Sequence, residues 1–302
     1  MCTKKFAEQI VLSKQLCDEI GTKDYLVLGE PEYPVQLASV PDAPTVLFYA
    51  GDTSLLRGTM VAVVGTRQMS AAGRSLTTDL VCSLAQAGII TVSGLAQGVD
   101  AVAHQTALNA GAPTIAVLGT GITQPFPKRN TDLYNQIIET GLVLSEFYRT
   151  DGYDRFVFPR RNRIVAGLSN ATVVTQAPEK SGALITARLA FDYGRDVFAF
   201  PYSPASLSGR GCNILIRDSV ARLVCSAVDV LESLGYEGGL PVAENLAVEA
   251  LQVLALVKTG VRSFEHLTES VNMAKSDLRK LLLSLELQGY IRTSATGLYS
   301  AM

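Results

Sequence analysis

The sequence predicts a doubly wound α/β domain with a mostly parallel sheet, followed by a small helix-rich appendage. Three observations carry this. From Met60 to about Gly235, short β-branched runs alternate with amphipathic stretches, the pattern of strands covered by helices. Strand candidates give way to glycine-containing turns that lead into helical patterns. The alternation ends at Gly238, Gly239 and Pro241, beyond which helices follow one another without strands between them.

Taken in order, the chain begins with a lead-in, residues 1–58, whose Pro31, Pro34, Pro41 and Pro44 predict extended backbone running into Val46 to Gly51 and packed on the domain that follows. Residues 59–237 carry the strand candidates Val61 to Val64, Ile89 to Val92, Thr114 to Leu118, Leu142 to Leu144, Ala171 to Thr175, Val197 to Phe200 and Arg222 to Val224. Between the first two, Gly73 to Ala87 reads as a helix, since Leu76, Leu80 and Leu84 recur every four residues and form one apolar stripe. Right-handed crossovers bring the strand-to-helix turns together at the carboxyl edge of such a sheet, where these folds bind ligands. Residues 238–302 read as helices at Val248 to Val257, Phe264 to Ser270 and Ser276 to Gln288, then a hairpin from Tyr290 to Tyr299 with Gly297 near its turn, a winged-helix-like order.

Composition narrows the function. The chain has 302 residues, 48 % hydrophobic and 18 % charged, enough for a large core and against pervasive disorder. No apolar run is long enough to span a bilayer and no signal-peptide core follows Met1, so a soluble cytoplasmic protein is expected. Cys2, Cys17, Cys82, Cys212 and Cys225 are scattered, without a C-x-x-C pair and with only two histidines beside them. Neither a disulfide framework nor a metal site is expected, and no cofactor is called for. A net charge of −2 means that any nucleic-acid binding must come from a local basic site.

The turns supply that site. After the first strand of the domain come Gly65, Thr66, Arg67 and Ser70, offering close backbone approach, hydroxyls and a planar cation, although a plain tight turn would read the same way. The next turn holds Gly94 and Gly98 before a helix, which suits an anion on backbone amides. Asp100 and His104, four residues apart, share a helical face, and a structural pair is favoured there over a catalytic dyad. Gly119-Thr120-Gly121 lacks the third glycine of a dinucleotide site, and Pro125 to Asn130 reads as an ordered loop. Phe158 to Ser169 is the densest signal: Arg160, Arg161, Asn162 and Arg163 enter a short helix ahead of a strand. Arginine forks suit phosphate. Lys180, Ser181 and Gly182 then open another helix as a second phosphate cradle, without the P-loop pattern that nucleoside-triphosphate hydrolysis would need.

Read in order, V-V-G-T-R, S-G-L-A-Q-G-V-D-A-V-A-H, T-I-A-V-L-G-T-G, F-P-R-R-N-R-I-V-A-G-L-S, K-S-G-A-L-I-T-A and G-R-D-V-F-A-F-P closely resemble the bacterial DNA-processing protein A family, also called Smf, over about Tyr33 to Leu234. The resemblance implies a Rossmann-like, non-enzymatic homodimer that binds single-stranded DNA, protects it and loads the RecA recombinase in natural transformation. It implies that Arg67 and Lys180 hold phosphates while Arg161, Asn162 and Arg163 line or brace the same pocket. Many members carry a helical domain in front of the lead-in, and here that domain is expected to be reduced. Gln176, Thr123, Phe126 and Tyr202 depart from the family's usual residues, whereas the basic positions are intact.

Two other readings compete. Related Rossmann-like proteins include phosphoribohydrolases that cleave nucleoside monophosphates, but their P-G-G-x-G-T-x-x-E signature is missing. Alternatively, Lys275, Arg279 and Lys280 on the third C-terminal helix would enter a duplex groove, although Glu265, Glu269 and Asp277 offset their charge and such domains also serve as protein contacts.

Overall fold

The computed structural model describes Cys17, Glu19, residues 21–149 and 157–236, and, toward the C-terminus, residues 248–258, 260, 262–271, 273–287, 290–294 and 297–301. The chain divides into two compact units, residues 1–240 and 241–302. Most of the segment in which a reduced helical domain is expected lies outside the described residues.

The first unit runs β1 (Tyr25–Val27), α1 (Val35–Ala38), β2 (Val46–Gly51), β3 (Met60–Gly65), α2 (Ala71–Gln86), β4 (Ile90–Ser93), α3 (Val99–Asn109), β5 (Thr114–Leu118), α4 (Thr131–Thr140), β6 (Leu142–Ser145), α5 (Val157–Leu168), β7 (Ala171–Gln176), α6 (Gly182–Asp192), β8 (Asp196–Ala199), α7 (Arg210–Arg217), β9 (Arg222–Leu223) and α8 (Ala227–Ser233). Its sheet has the order β1-β2-β6-β5-β4-β3-β7-β8-β9. Every pair from β6 through β9 is parallel, and only β1 and β2 run against their neighbours. The seven strand candidates are therefore the parallel strands, and the lead-in adds two antiparallel ones. Burial explains why that lead-in stays on the sheet: Leu47 and Phe48 are buried, and the Tyr33 hydroxyl donates to the Pro44 carbonyl at 2.7 Å.

Alternating side chains of the strands feed cores on opposite faces. Met60, Ala62 and Val64 pack with Leu37, Ile164, Leu184 and Leu215, under α1, α5, α6 and α7. Val61 and Val63 pack with Leu80, Leu84, Val99, Ala103 and Leu231, under α2, α3 and α8. The apolar stripe of α2 is thus turned inward at Leu80 and Leu84, each worth about 1.5–3 kcal/mol on burial. The same face continues beneath α4, where Ile137 meets Ala116, Leu118 and Val143.

Strand order places the site. Successive strands step one way from β3 through β4 and β5 to β6, then the chain returns through α5 to β7 on the other side of β3. Turns after β3 and β7 therefore leave the sheet in opposite directions and open a crevice at the carboxyl edge. The β3–β7 register slips between Val64 and Gly65, and the Thr66 amide donates to the Gln176 carbonyl at 2.7 Å just where the strands part.

In the second unit, α9 (Val248–Lys258), β10 (Arg262–Ser263), α10 (Phe264–Ser270), α11 (Lys275–Leu287), β11 (Ile291–Thr293) and β12 (Leu298–Ala301) follow in order, and the antiparallel sheet is arranged β10-β12-β11. Val253, Leu267, Leu278, Leu282 and Ile291 form its core. Gly297 holds a left-handed φ of +74° ahead of β12, as the expected hairpin turn requires. Among the described residues no helix is long and apolar enough to cross a membrane.

Candidate nucleic-acid interface

A crevice of about 500 Å³ lies at the switch between β3 and β7. The turn after β3 contributes Gly65, Thr66 and Arg67, the turn after β4 contributes Gly94, helix α5 contributes Arg161 and Asn162, and the start of α6 contributes Lys180, Ser181 and Gly182. Residues from four separate segments of the sequence thus meet at one opening. Arg67 and Lys180 are both exposed there, so two basic side chains line the same opening.

Ser181 caps α6 by accepting from the Ala183 amide, and a Cβ at Gly182 would meet nothing within 4 Å, so the positive end of the helix dipole opens onto the crevice. Thr66, by contrast, is turned inward: its hydroxyl oxygen accepts from the Gln68 amide at 3.1 Å and shapes the turn. Gly98, at φ +81°, lets the start of α3 approach that turn, since a Cβ there would fall 2.2 Å from the Thr66 carbonyl oxygen.

Arg161 behaves differently from Arg67. It is buried, and its Nη1 donates to the carbonyls of Gly94 and Val117, the latter at 2.6 Å. Burial pushes its guanidinium down from the usual arginine range, the Asp100 carboxylate opposes that shift, and the Arg67 charge adds to it. Asp100 answers in the opposite sense: burial raises its carboxyl, while Arg161 and the amides of the β4 turn pull it down. Gly94 is where this brace meets the backbone. A Cβ there would lie 2.0 Å from Arg161 Nη1, so only glycine leaves room for the guanidinium.

Helix α5 deals its polar run in three directions. Asn162 faces the crevice and accepts from Arg161 Nε at 3.2 Å. Arg160 and Arg163 both bond Glu146, at 2.9 and 2.6 Å. Arg163 is therefore not part of the crevice lining, and neither is Ser70. Ser70 instead caps α2 through the Gly73 amide and is held by Gln176, whose Oε1 accepts from the Ser70 amide and whose Nε2 donates to the Ser70 hydroxyl, each at 2.8 Å. Gln176 is fully buried and staples the turn after β3 to the end of β7.

The Asp100 and His104 pair is built into the core. His104 Nδ1 and the Thr114 hydroxyl are 2.8 Å apart, and burial, with the Arg161 charge, pushes the imidazole down to about 3. It is neutral at physiological pH.

The lining also contains an aromatic surface absent from the sequence-derived set. The Phe158 ring sits in the crevice, 5.7 Å from the Arg67 guanidinium carbon and 5.7 Å from the ring of Phe126. A side slot of about 120 Å³, bounded by Phe126, Phe158, Gln97 and Gly119, opens beside them. The available signal was F-P-R-R, in which the arginines overshadow the phenylalanine. Among the described residues no group of three or more His, Cys, Asp or Glu side chains is placed to hold a metal ion.

Residues 24–235 match the family model for DNA recombination-mediator protein A. Protein Smf of Synechocystis sp. is 38 % identical over 275 residues, covering 87 % of this chain and 69 % of that protein. The DNA processing protein DprA of Streptococcus pneumoniae is 44 % identical over 199 residues, covering 66 % of this chain and 70 % of that one. The X-ray structure of DprA from Streptococcus pneumoniae superposes with a TM-score of 0.68 at 40 % identity, over 73 % of this chain and 77 % of that one. DNA processing protein A from Helicobacter pylori, whose structure addresses its single-stranded DNA binding mode, gives a TM-score of 0.63 at 31 % identity, over 70 % of this chain and 95 % of that one.

Proposed function

The chain belongs to the DNA recombination-mediator protein A family, and from that membership we propose that its crevice grips the sugar-phosphate backbone of single-stranded DNA. The observation that carries this reading is the convergence of Arg67 and Lys180, from distant turns, beside the open amino end of α6. Two exposed cations and a helix dipole favour a ligand with more than one negative group. Phe158 beside Arg67 offers an unstacked base a face, which duplex DNA has no base free to use. The Helicobacter pylori relative's single-stranded DNA binding supports the same ligand class.

Phosphates position the strand, and stacking holds it without reading sequence. Arg161 and Asp100 keep the crevice walls in place, and Arg67, Lys180 and the α6 amides do the binding. The biological reading that follows is a non-enzymatic protein, working as a homodimer, that protects incoming DNA and hands it to the RecA recombinase in transformation. Release of free base from a panel of nucleoside monophosphates would overturn the non-enzymatic reading in favour of a phosphoribohydrolase.

Fluorescence anisotropy with a single-stranded oligonucleotide over a range of salt tests the site. Arg67→Ala and Lys180→Ala should each weaken binding and lower the salt slope by about 0.7, the value for one single-strand phosphate contact. Parent-like affinity and slope in both variants would reject the assignment. RecA filament assembly on single-stranded DNA, with and without the protein, tests the hand-over: no acceleration removes that step while leaving the binding reading intact.

A further inference from the structure

Beyond Ser181 and Ile185, between α6 and α7, lies a second concavity of about 510 Å³. Arg188 enters it from α6, and Arg210 and Arg217 enter it from α7. Against these cations stand two carboxylates, Glu179 and Asp218. Arg210 lies 3.5 Å from Glu179, while Arg188 and Arg217 share Asp218 at 3.4 and 2.8 Å. The arginine side chains are 51 %, 57 % and 72 % exposed, so these pairs are screened by water and readily exchanged.

Charge and continuity both point to the same occupant. Three guanidinium forks face two acids, one of which serves twice, leaving an excess of cationic donors that face solvent, where phosphate oxygens can replace water. Ser181 and Ile185 line both this groove and the crevice, so no wall of other residues separates them. Ile185 is 44 % exposed on that ridge, an apolar face where a base crossing from one concavity to the other finds contact.

We propose that single-stranded DNA held in the crevice continues over Ile185 into this groove, where Arg188, Arg210 and Arg217 take successive phosphates in exchange for Glu179 and Asp218. The proposal rests on the crevice reading above and extends it by naming the direction in which the strand leaves. It makes binding depend on strand length: a short strand fills the crevice alone, and a longer one gains the arginines.

The test uses oligothymidylates of about 4 and about 16 nucleotides, spanning the usual range of single-strand site sizes, with the full-length protein. In the triple variant Arg188→Ala, Arg210→Ala, Arg217→Ala the short strand should bind as to the parent. The long one should bind at least about tenfold more weakly, with a salt slope lower by about 2, or about 0.7 per phosphate lost. Asp218→Asn removes a competing carboxylate and should tighten only the long strand, a gain that misfolding cannot mimic. Unchanged long-strand affinity in the triple variant, or equal losses at both lengths, overturns the proposal. Arg67→Ala and Lys180→Ala report on the crevice separately: full short-strand affinity in both would sink the crevice reading itself, whatever the variants of the groove arginines do.

Discussion

Replacing Gly94 with alanine tests the buried brace most sharply. Gly94 is not among the glycines with a left-handed φ, so alanine is permitted by the backbone and any cost must come from contact. The added Cβ would overlap the Arg161 guanidinium, the far end of a flexible but buried side chain, so the cost is set by what the guanidinium gives up on moving. The guanidinium must leave, which deprives the carbonyls of Gly94 and Val117 of their donor and Asp100 of its cation. Hydrogen bonds to charged groups contribute about 1.5–3 kcal/mol each, so losing two predicts a destabilisation of about 3 kcal/mol or more. All five cysteines lie at or before Cys225, within the first unit, and Cys212 is fully buried. Denaturant-dependent labelling of the Cys212 thiol therefore reports the opening of this unit alone. The control is a double-mutant cycle. In an Arg161→Met background, where no guanidinium remains to be displaced, Gly94→Ala should cost less than about 1 kcal/mol. Equal costs in the two backgrounds would refute the steric account.

Two more outcomes follow from the same geometry. His104 takes up a proton near 6.5 when unfolded but only near 3 when folded, so the unfolded chain binds the extra proton between those values and stability falls as pH falls from about 6.5. From pH 6 to pH 5 the loss attributable to this imidazole is about 1.2 kcal/mol, and the difference between the pH–stability profiles of the parent and His104→Asn should show it; coincident profiles would mean the imidazole is not held neutral. Phe158→Ala should weaken binding of single-stranded oligonucleotides by about 1–3 kcal/mol while leaving the salt slope unchanged, since stacking releases no counterions; a lower slope would show that the ring acts by placing Arg67 instead.

Much of the fold was legible because a parallel sheet buried on both faces writes its strands as short apolar runs. Thr114 to Leu118 is the clearest case, with all five residues buried and the same limits in sequence and structure. The candidate crevice was legible where its lining sits in turns: Arg67, Lys180 and Gly182 come soon after strands, so topology brings them to one opening. The run from Arg160 to Arg163 was less readable. Each helical residue turns the side chain by about 100°, and sequence gives the run without its phase. In the structure Arg161 points into the core, Asn162 into the crevice and Arg163 to Glu146. Gln176 was opaque for another reason. Its three polar partners, the Ser70 amide, the Ser70 hydroxyl and the Ser208 hydroxyl, are set by packing between distant segments, and no local pattern announces them.

Arg161 and Arg67 line the same crevice but differ in burial, and the proposed site would use them differently. A buried guanidinium gives up hydration and keeps its charge only if the protein supplies fixed acceptors, as Gly94, Val117 and Asp100 do here. Having its donors engaged, Arg161 gains little by turning toward a phosphate, and losing its present partners would cost more than one new bond returns. Arg67 retains its hydration and is exposed over Phe158, so a phosphate replaces water at small cost. The buried charge would still act on a phosphate held there, because its field reaches the crevice that both residues line. Arg161→Lys should therefore loosen the wall more than it lowers the salt slope, whereas Arg67→Lys should leave the wall intact and keep most of the slope, because a point charge still meets the phosphate there.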